Sequence, residues 1–188
     1  MERKREITKN LLAESLKKLM LKGSFDKITI KMITDESGVI RPTFYNYFQD
    51  KYEVIEWLLE QEIFNEAIAL LENGQDKEAI QSIFIKMDND RAYYQKAFEI
   101  TGQNGFDEII TRCIKDFITT FIKKHEVKFD TYPDLCSEQI FVEFQAVTIV
   151  SGMRLWFTGR GKRLNAEEAM EFYMFLMGHS ILDMVQNK

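Results

Sequence analysis

Arg41-Pro-Thr-Phe-Tyr-Asn-Tyr-Phe-Gln-Asp-Lys51 is the stretch that decides the fold. Pro42 suits the first turn of a helix, where its missing N–H costs little. Phe44 and Phe48 are four residues apart, so they share a face and anchor that helix to a core. The same segment carries a guanidinium, hydroxyls and an amide, groups that meet base edges and phosphates. Just upstream, Thr29 is a good N-cap for a short helix. Met32 stands three residues later, so a full capping box is absent. Gly38 is placed to take the left-handed conformation that stops this helix. Two short helices joined by a glycine turn are what a helix-turn-helix needs.

Outward from this pair, helical periodicity dominates and no sustained strand alternation occurs. A first helix is expected from about Ile7 to Leu21, with Leu12, Leu16, Leu19 and Met20 as its apolar stripe. Lys17, Lys18 and Lys22 favour its C-terminal end, and Phe25 and Ile28 plug the small core behind the next helix. Downstream, Asp50-Lys-Tyr-Glu53 reads as a capping box opening a long helix to about Glu72. Val54, Leu58 and Ile63 lie on its apolar face. Further helices are expected at about 76–87, 89–101, 105–124, 137–158 and 166–186, the last opened by Asn165 with Glu168. The expected class is all-α: an N-terminal helix-turn-helix DNA-binding domain over 1–52, then a helical ligand-sensing and dimerisation domain over 53–188. The boundary falls inside the long helix.

The 188 residues carry a net charge of −5, which alone argues against nucleic acid, but the charge is unevenly spread. Residues 1–51 hold 11 Lys/Arg against 7 Asp/Glu, a net of +4, and the remainder holds 14 against 23, a net of −9. A basic head on an acidic body meets a polyanion in one orientation only. Cys113 and Cys136 have no metal-type spacing; free intracellular thiols are expected, with pairing left open. The charged start, Met1-Glu-Arg-Lys-Arg-Glu6, has no apolar signal region. The most apolar stretch, Ile140 to Phe157, contains Glu143, Gln145 and Arg154, and is expected to be a buried helix rather than a membrane span. The cytoplasm is the default location.

The last two expected helices are apolar around more than one face. One holds Ile140, Phe141, Phe144, Val147, Ile149, Val150, Leu155 and Trp156; the other Met170, Phe172, Tyr173, Phe175, Leu176, Met177, Ile181 and Met184. A helix touching only its own core needs one stripe. Either both helices are fully buried in one subunit, or they meet the same pair from a second subunit; the homodimer is the favoured expectation.

Thr29, Ser37-Gly38-Val39, Pro42-Thr43-Phe44-Tyr45, Tyr47-Phe48 and Lys51 together resemble the DNA-binding domain of the TetR/AcrR family of bacterial transcriptional regulators. The resemblance covers about the first 55 residues. Tyr93-Tyr94, Lys96-Ala97-Phe98 and Gly102-Gln103-Asn104-Gly105-Phe106 resemble C-terminal domains of a branch that includes dihydroxyacetone-kinase regulators. Ile40 departs from the pattern where many members have a polar residue, and Thr34 and Ser37 replace small alanines.

The resemblance implies a dimer, more in the manner of a repressor, that binds a palindromic double-stranded DNA operator with Arg41 to Tyr47 in the major groove of each half-site. Arg41 can fork onto guanine or meet a phosphate. Pro42 can pack on a thymine methyl or simply begin the helix. Thr43, Tyr45 and Tyr47 offer hydroxyls to phosphates, with core packing the alternative for Tyr45, and Asn46 could read adenine. Thr29 and Lys31 sit at a helix start that favours phosphate, and Lys51 can neutralise another. Arg3, Lys4 and Arg5 form a minor-groove arm or a solvated tail.

The body is expected to sense a small molecule or a partner protein. Tyr94, Phe98, Gln103, Phe117, Phe144 and Trp156 are its candidate effector residues, with core packing the competing explanation for each aromatic. No cofactor or metal is expected: His125 and His179 lack metal-type partners at helical spacing. No nucleophile elbow, phosphate loop or HExxH occurs, so an enzyme is not expected. An all-helical protein-interaction scaffold remains the alternative, but it leaves the basic, hydroxyl-rich head without a use.

Overall fold

A computed structural model describes residues 2–129, 137–159, 161–179 and 183. Among these residues the chain is helical, with no strand. Helix α1 (Glu2–Lys22) buries Leu12, Leu16 and Met20 and runs further toward the N-terminus than its stripe alone suggested. A 3-10 turn (Phe25–Lys27) buries Phe25 beneath α2 (Ile30–Ser37). The Thr29 hydroxyl caps α2 by accepting from the Met32 N–H at 3.2 Å. Gly38 ends it at φ 69°, a conformation that glycine takes without Cβ strain.

Helix α3 (Arg41–Tyr45) follows, with Pro42 in its first turn and Phe44 and Phe48 fully buried below it. The Asp50 carboxylate then caps α4 (Lys51–Leu59), accepting from the Tyr52 and Glu53 N–H groups at 2.8 and 3.0 Å. Glu53 reaches back to the Gln49 N–H, one residue before the cap.

The long helix does run to Glu72, but not as a uniform α-helix. A π-helical stretch (Glu60–Phe64) separates α4 from α5 (Asn65–Glu72). There the Asn65 N–H reaches back five residues to Glu60. The wider turn lets both Ile63 and Phe64 point into the core while Glu62 faces α1. Glu62 and Asp90 receive the Lys17 ammonium at 3.0 and 2.7 Å. Burial works against that ammonium, yet the two carboxylates outweigh it and hold its pKa above the ordinary lysine value. One continuous core runs from Leu12 in the head to Phe157 near the end of the body.

The body comprises α6 (Asp76–Asn89), α7 (Arg91–Ala97), α8 (Phe106–Lys124), α9 (Glu138–Thr158) and α10 (Ala166–Gly178). Helix α6 lies on α5, α9 on α8, and α10 on α6, while α1 of the head rests on α7. The Asn165–Glu168 capping box opens α10 as expected. Ile181 and Met184, expected in this last helix, lie outside the described residues, as does Cys136. Cys113 is a buried free thiol, pushed up to about 12 by burial and by the Glu60 and Glu56 carboxylates.

The expectation that the Ile140–Phe157 stretch is buried needs correction. Helix α9 buries one stripe, Val142, Ala146, Val150, Met153 and Phe157. Its opposite side exposes Ile140, Phe144, Val147 and Leu155. By length and composition alone α9 could cross a membrane. It instead packs on α8, and Arg154 on it grips Asp107 at 2.6 Å. Helix α10 has the same two-sided character, burying Ala169 and Met170 and exposing Phe172, Phe175 and Leu176.

Candidate nucleic-acid interface and the body cavity

The sequence folds α3 so that its apolar and polar residues part cleanly. Phe44 packs edge-on to Tyr45 and against Phe48, which in turn packs edge-on to Trp57 of α4. These rings set the helix's rotation, and Arg41, Pro42, Tyr45 and Asn46 are left outward. Tyr45 is 48% exposed, so the core-packing alternative does not describe it. Its hydroxyl accepts from Arg41 Nη2 at 3.2 Å, and the guanidinium lies 5.6 Å from the ring centroid. Thr43 is half-buried, and Tyr47 is half-buried with its ring against the core.

Lys31 is exposed on the first turn of α2 and pairs with Asp35 at 3.0 Å. A surface pair of this kind is weak and readily exchanged for a phosphate. Thr29 stands at the same helix start, its hydroxyl already committed to the cap. Ile40 projects into solvent at 69% exposure, directly before α3. Thr34 and Ser37 turn their hydroxyls onto backbone carbonyls of their own helix, Lys31 at 3.0 Å and Thr34 at 3.1 Å.

Lys51, expected to neutralise a phosphate, is held within the head. Its ammonium donates to the carbonyls of Phe25 and Ile28 at 2.7 and 2.9 Å and lies over the Phe25 ring at 4.2 Å. Burial holds its pKa below the ordinary lysine value, with Asp26 and Asp50 pulling the other way. The residue ties the turn before α2 to the start of α4 and so fixes the pose of the two helices between them.

The candidate effector residues do not come together. Tyr94 and Phe98 are buried in a ring cluster with Phe106 and Phe157. Gln103 sits in the exposed loop before α8, and Phe144 points outward at 66% exposure. Trp156 is fixed by its indole N–H to the Leu164 carbonyl at 2.9 Å and lies beneath the Arg91 guanidinium.

Phe117 alone of the six lines a cavity of about 440 Å³. Its walls come from Phe64 of the π stretch and from α6, α8, α9 and α10, and are mostly isoleucine, phenylalanine and methionine. Gln145 and Tyr173 are the polar side chains in that lining, and among the described residues no charged one occurs in it. A second hollow of about 400 Å³ lies between α9 and α10, where Trp156, Leu155 and Phe172 meet Arg91, Lys162 and Arg163.

A short capped helix, a left-handed glycine and a second helix exposing a guanidinium, a phenol and an amide define a helix-turn-helix DNA-binding protein. The model of the family described as bacterial regulatory proteins, tetR family, matches residues 13–58. A protein of Lactococcus lactis subsp. lactis (strain IL1403), described as the HTH-type dhaKLM operon transcriptional activator DhaS, is 29% identical over 147 residues. That similarity covers 76% of this chain and 75% of the relative. The solved structure described as dihydroxyacetone kinase operon activator DhaS shares the fold at a TM-score of 0.56 and 22% identity, covering 96% of each chain. The head, residues 13–58, is thus similar to the DNA-binding domain of TetR-family regulators, and the chain as a whole is similar to a transcriptional activator. Both relatives are described as transcriptional activators.

Proposed function

We propose that this regulator works as a homodimer, joined through α9 and α10, that reads a palindromic operator with α3 of each subunit. The observation that carries this reading is the outward display of Arg41, Tyr45 and Asn46 on a helix locked from below by Phe44 and Phe48. Arg41 and Asn46 read bases, Pro42 opens the reading helix, and Thr43, Tyr45 and Tyr47 meet phosphates beside it. Thr29 and Lys31 hold the backbone at the start of α2. Residues 1–52 act as the reading domain, closed by the Lys51 clamp, and 53–188 as the dimerising and sensing domain. The exposed apolar stripe of α9 supports the pairing, since such a surface is costly in water.

The body responds to a small molecule or a partner protein by changing the separation of the two reading helices. An effector that bound both arrangements equally would change nothing. The Lactococcus relative is described as an activator, which favours activation here over the repression first expected. The protein acts in the cytoplasm, where its operator is.

The test is binding to the DNA upstream of the chain's own gene, followed by fluorescence anisotropy over a range of salt. Arg41→Ala is expected to weaken the cognate site by about 1–3 kcal/mol and relax its specificity. Equal losses on cognate and random DNA would remove Arg41 from base reading.

A further inference from the structure

We infer that the cavity behind α9 is a binding site for an uncharged, mainly hydrocarbon small molecule, and that it rejects both anions and small polyols. The inference rests on the reading that the body senses a small molecule, and names the chemistry of what it senses. The cavity is drug-sized and walled by helices, as ligand sites are. Ile80, Ile118 and Ile149 contribute branched aliphatic walls from α6, α8 and α9, and Phe117 and Phe64 an aromatic end.

The lining decides the chemistry. A carboxylate or phosphate placed here would lose its water and, among the described residues, find no cationic side chain in return. A polyol would bury several hydroxyls against Gln145 and Tyr173 alone, leaving most of them without partners. A hydrocarbon chain with one neutral polar end has what the site supplies: apolar contact throughout and one amide with one phenol to orient the end. A phenol is neutral at physiological pH, and burial raises the Tyr173 pKa further, so it adds no charge. The neighbouring hollow between α9 and α10, by contrast, carries Arg91, Lys162 and Arg163 at its edge.

The position of the cavity gives its occupant a route to the head. Phe64 in its wall belongs to the π stretch whose Glu62 holds Lys17 of α1.

The experiment uses the full chain and the uncharged fluorescent probe N-phenyl-1-naphthylamine, with 1-dodecanol, dodecanoate and dihydroxyacetone as competitors at neutral pH. The probe is expected to bind saturably, as a cavity of this size allows. Dodecanol displaces it, dodecanoate does so at least about tenfold more weakly for want of a counter-charge, and dihydroxyacetone does not compete. Ile118→Trp and Ile80→Trp, which fill the cavity from two walls, each lower probe affinity by about tenfold or more through lost volume. Far-UV circular dichroism identifies which of the two is folded.

Probe affinity unchanged in a folded filled variant overturns the inference. So does dodecanoate competing as well as dodecanol, displacement by dihydroxyacetone, or a wild-type chain that takes no probe and leaves the cavity to a partner's side chain. Operator binding is read separately. Dodecanol that binds as expected but leaves operator affinity unchanged supports the ligand class and sinks the sensing reading.

Discussion

Helices α3 and α9 each show water a face that their own core does not use, and the chemistry of the two faces is opposite. Helix α3 exposes Arg41, Tyr45 and Asn46, groups that water satisfies well. Helix α9 exposes Ile140, Phe144, Val147 and Leu155, which water does not. A polar face is stable alone and exchanges water for phosphate at little cost, so its attachment is reversible and falls with salt. An apolar face forgoes about 25 cal/mol for each Å² left wet, so its attachment is persistent. One molecule thus carries a surface suited to letting go and a surface suited to holding on.

The sharpest way to break that contrast is to make the second face resemble the first. Phe144→Glu together with Leu155→Glu replaces two side chains that are 66% and 70% exposed, so the subunit's own core is spared. Sedimentation equilibrium is expected to show a monomer. Operator affinity should fall by roughly 100-fold or more, because two linked heads bind far better than one. A double variant that stays dimeric would show that the apolar face of α9 is not the holding surface.

A smaller effect tests what lies between the two faces. Lys17 reaches from α1 to Glu62 of the π stretch and Asp90 before α7, and little of its side chain is exposed. Lys17→Ala leaves two carboxylates facing one another near the buried Tyr93 ring, over which the ammonium now lies at 5.2 Å. Both carboxylates keep partial access to water, so the cost is well below that of a fully buried pair, about 1–2 kcal/mol of stability. Urea unfolding measures it. The same variant should weaken any effect of dodecanol on operator binding while leaving dodecanol binding itself intact. Coupling retained in full would place the connection elsewhere.

The head was legible in the sequence because its signals are local. Thr29, Gly38, Pro42 and the Phe44–Phe48 pair each act within a few residues, and helical period alone turns Tyr45 outward once Phe44 is inward. Lys51 was not legible. The carbonyls of Phe25 and Ile28 that take its ammonium lie more than twenty residues away, and a lysine at a helix start looks the same whether it faces DNA or its own chain.

The body was legible as helices but not as a site. Tyr94 and Phe98 are candidates as aromatics, yet rings of that size find one another in a core, here with Phe106 and Phe157. The cavity is built largely from isoleucines such as Ile80, Ile118 and Ile149, which carry no pattern that separates a cavity wall from ordinary packing. The π stretch also lacks a sequence mark, because the extra residue is accommodated without glycine or proline.

The finest test compares two caps. Thr29 starts α2 beneath the proposed reading helix, and Asn165 starts α10 beside the proposed dimer face; each accepts a backbone N–H from the first turn of its helix, at 3.2 and 2.9 Å. Replacing either by alanine leaves one N–H to water and costs about 1 kcal/mol. Thermal melts should therefore rank Thr29→Ala and Asn165→Ala as near equals. Their operator affinities should differ, because only α2 is positioned to offer its first turn to a phosphate in the proposed complex. Thr29→Ala is expected to weaken cognate and random DNA alike, by a few-fold, the signature of a backbone contact. Asn165→Ala should leave both unchanged once the dimer is confirmed. If the two variants lose operator affinity equally, the loss follows stability rather than contact, and Thr29 belongs to the fold of the head and not to its interface.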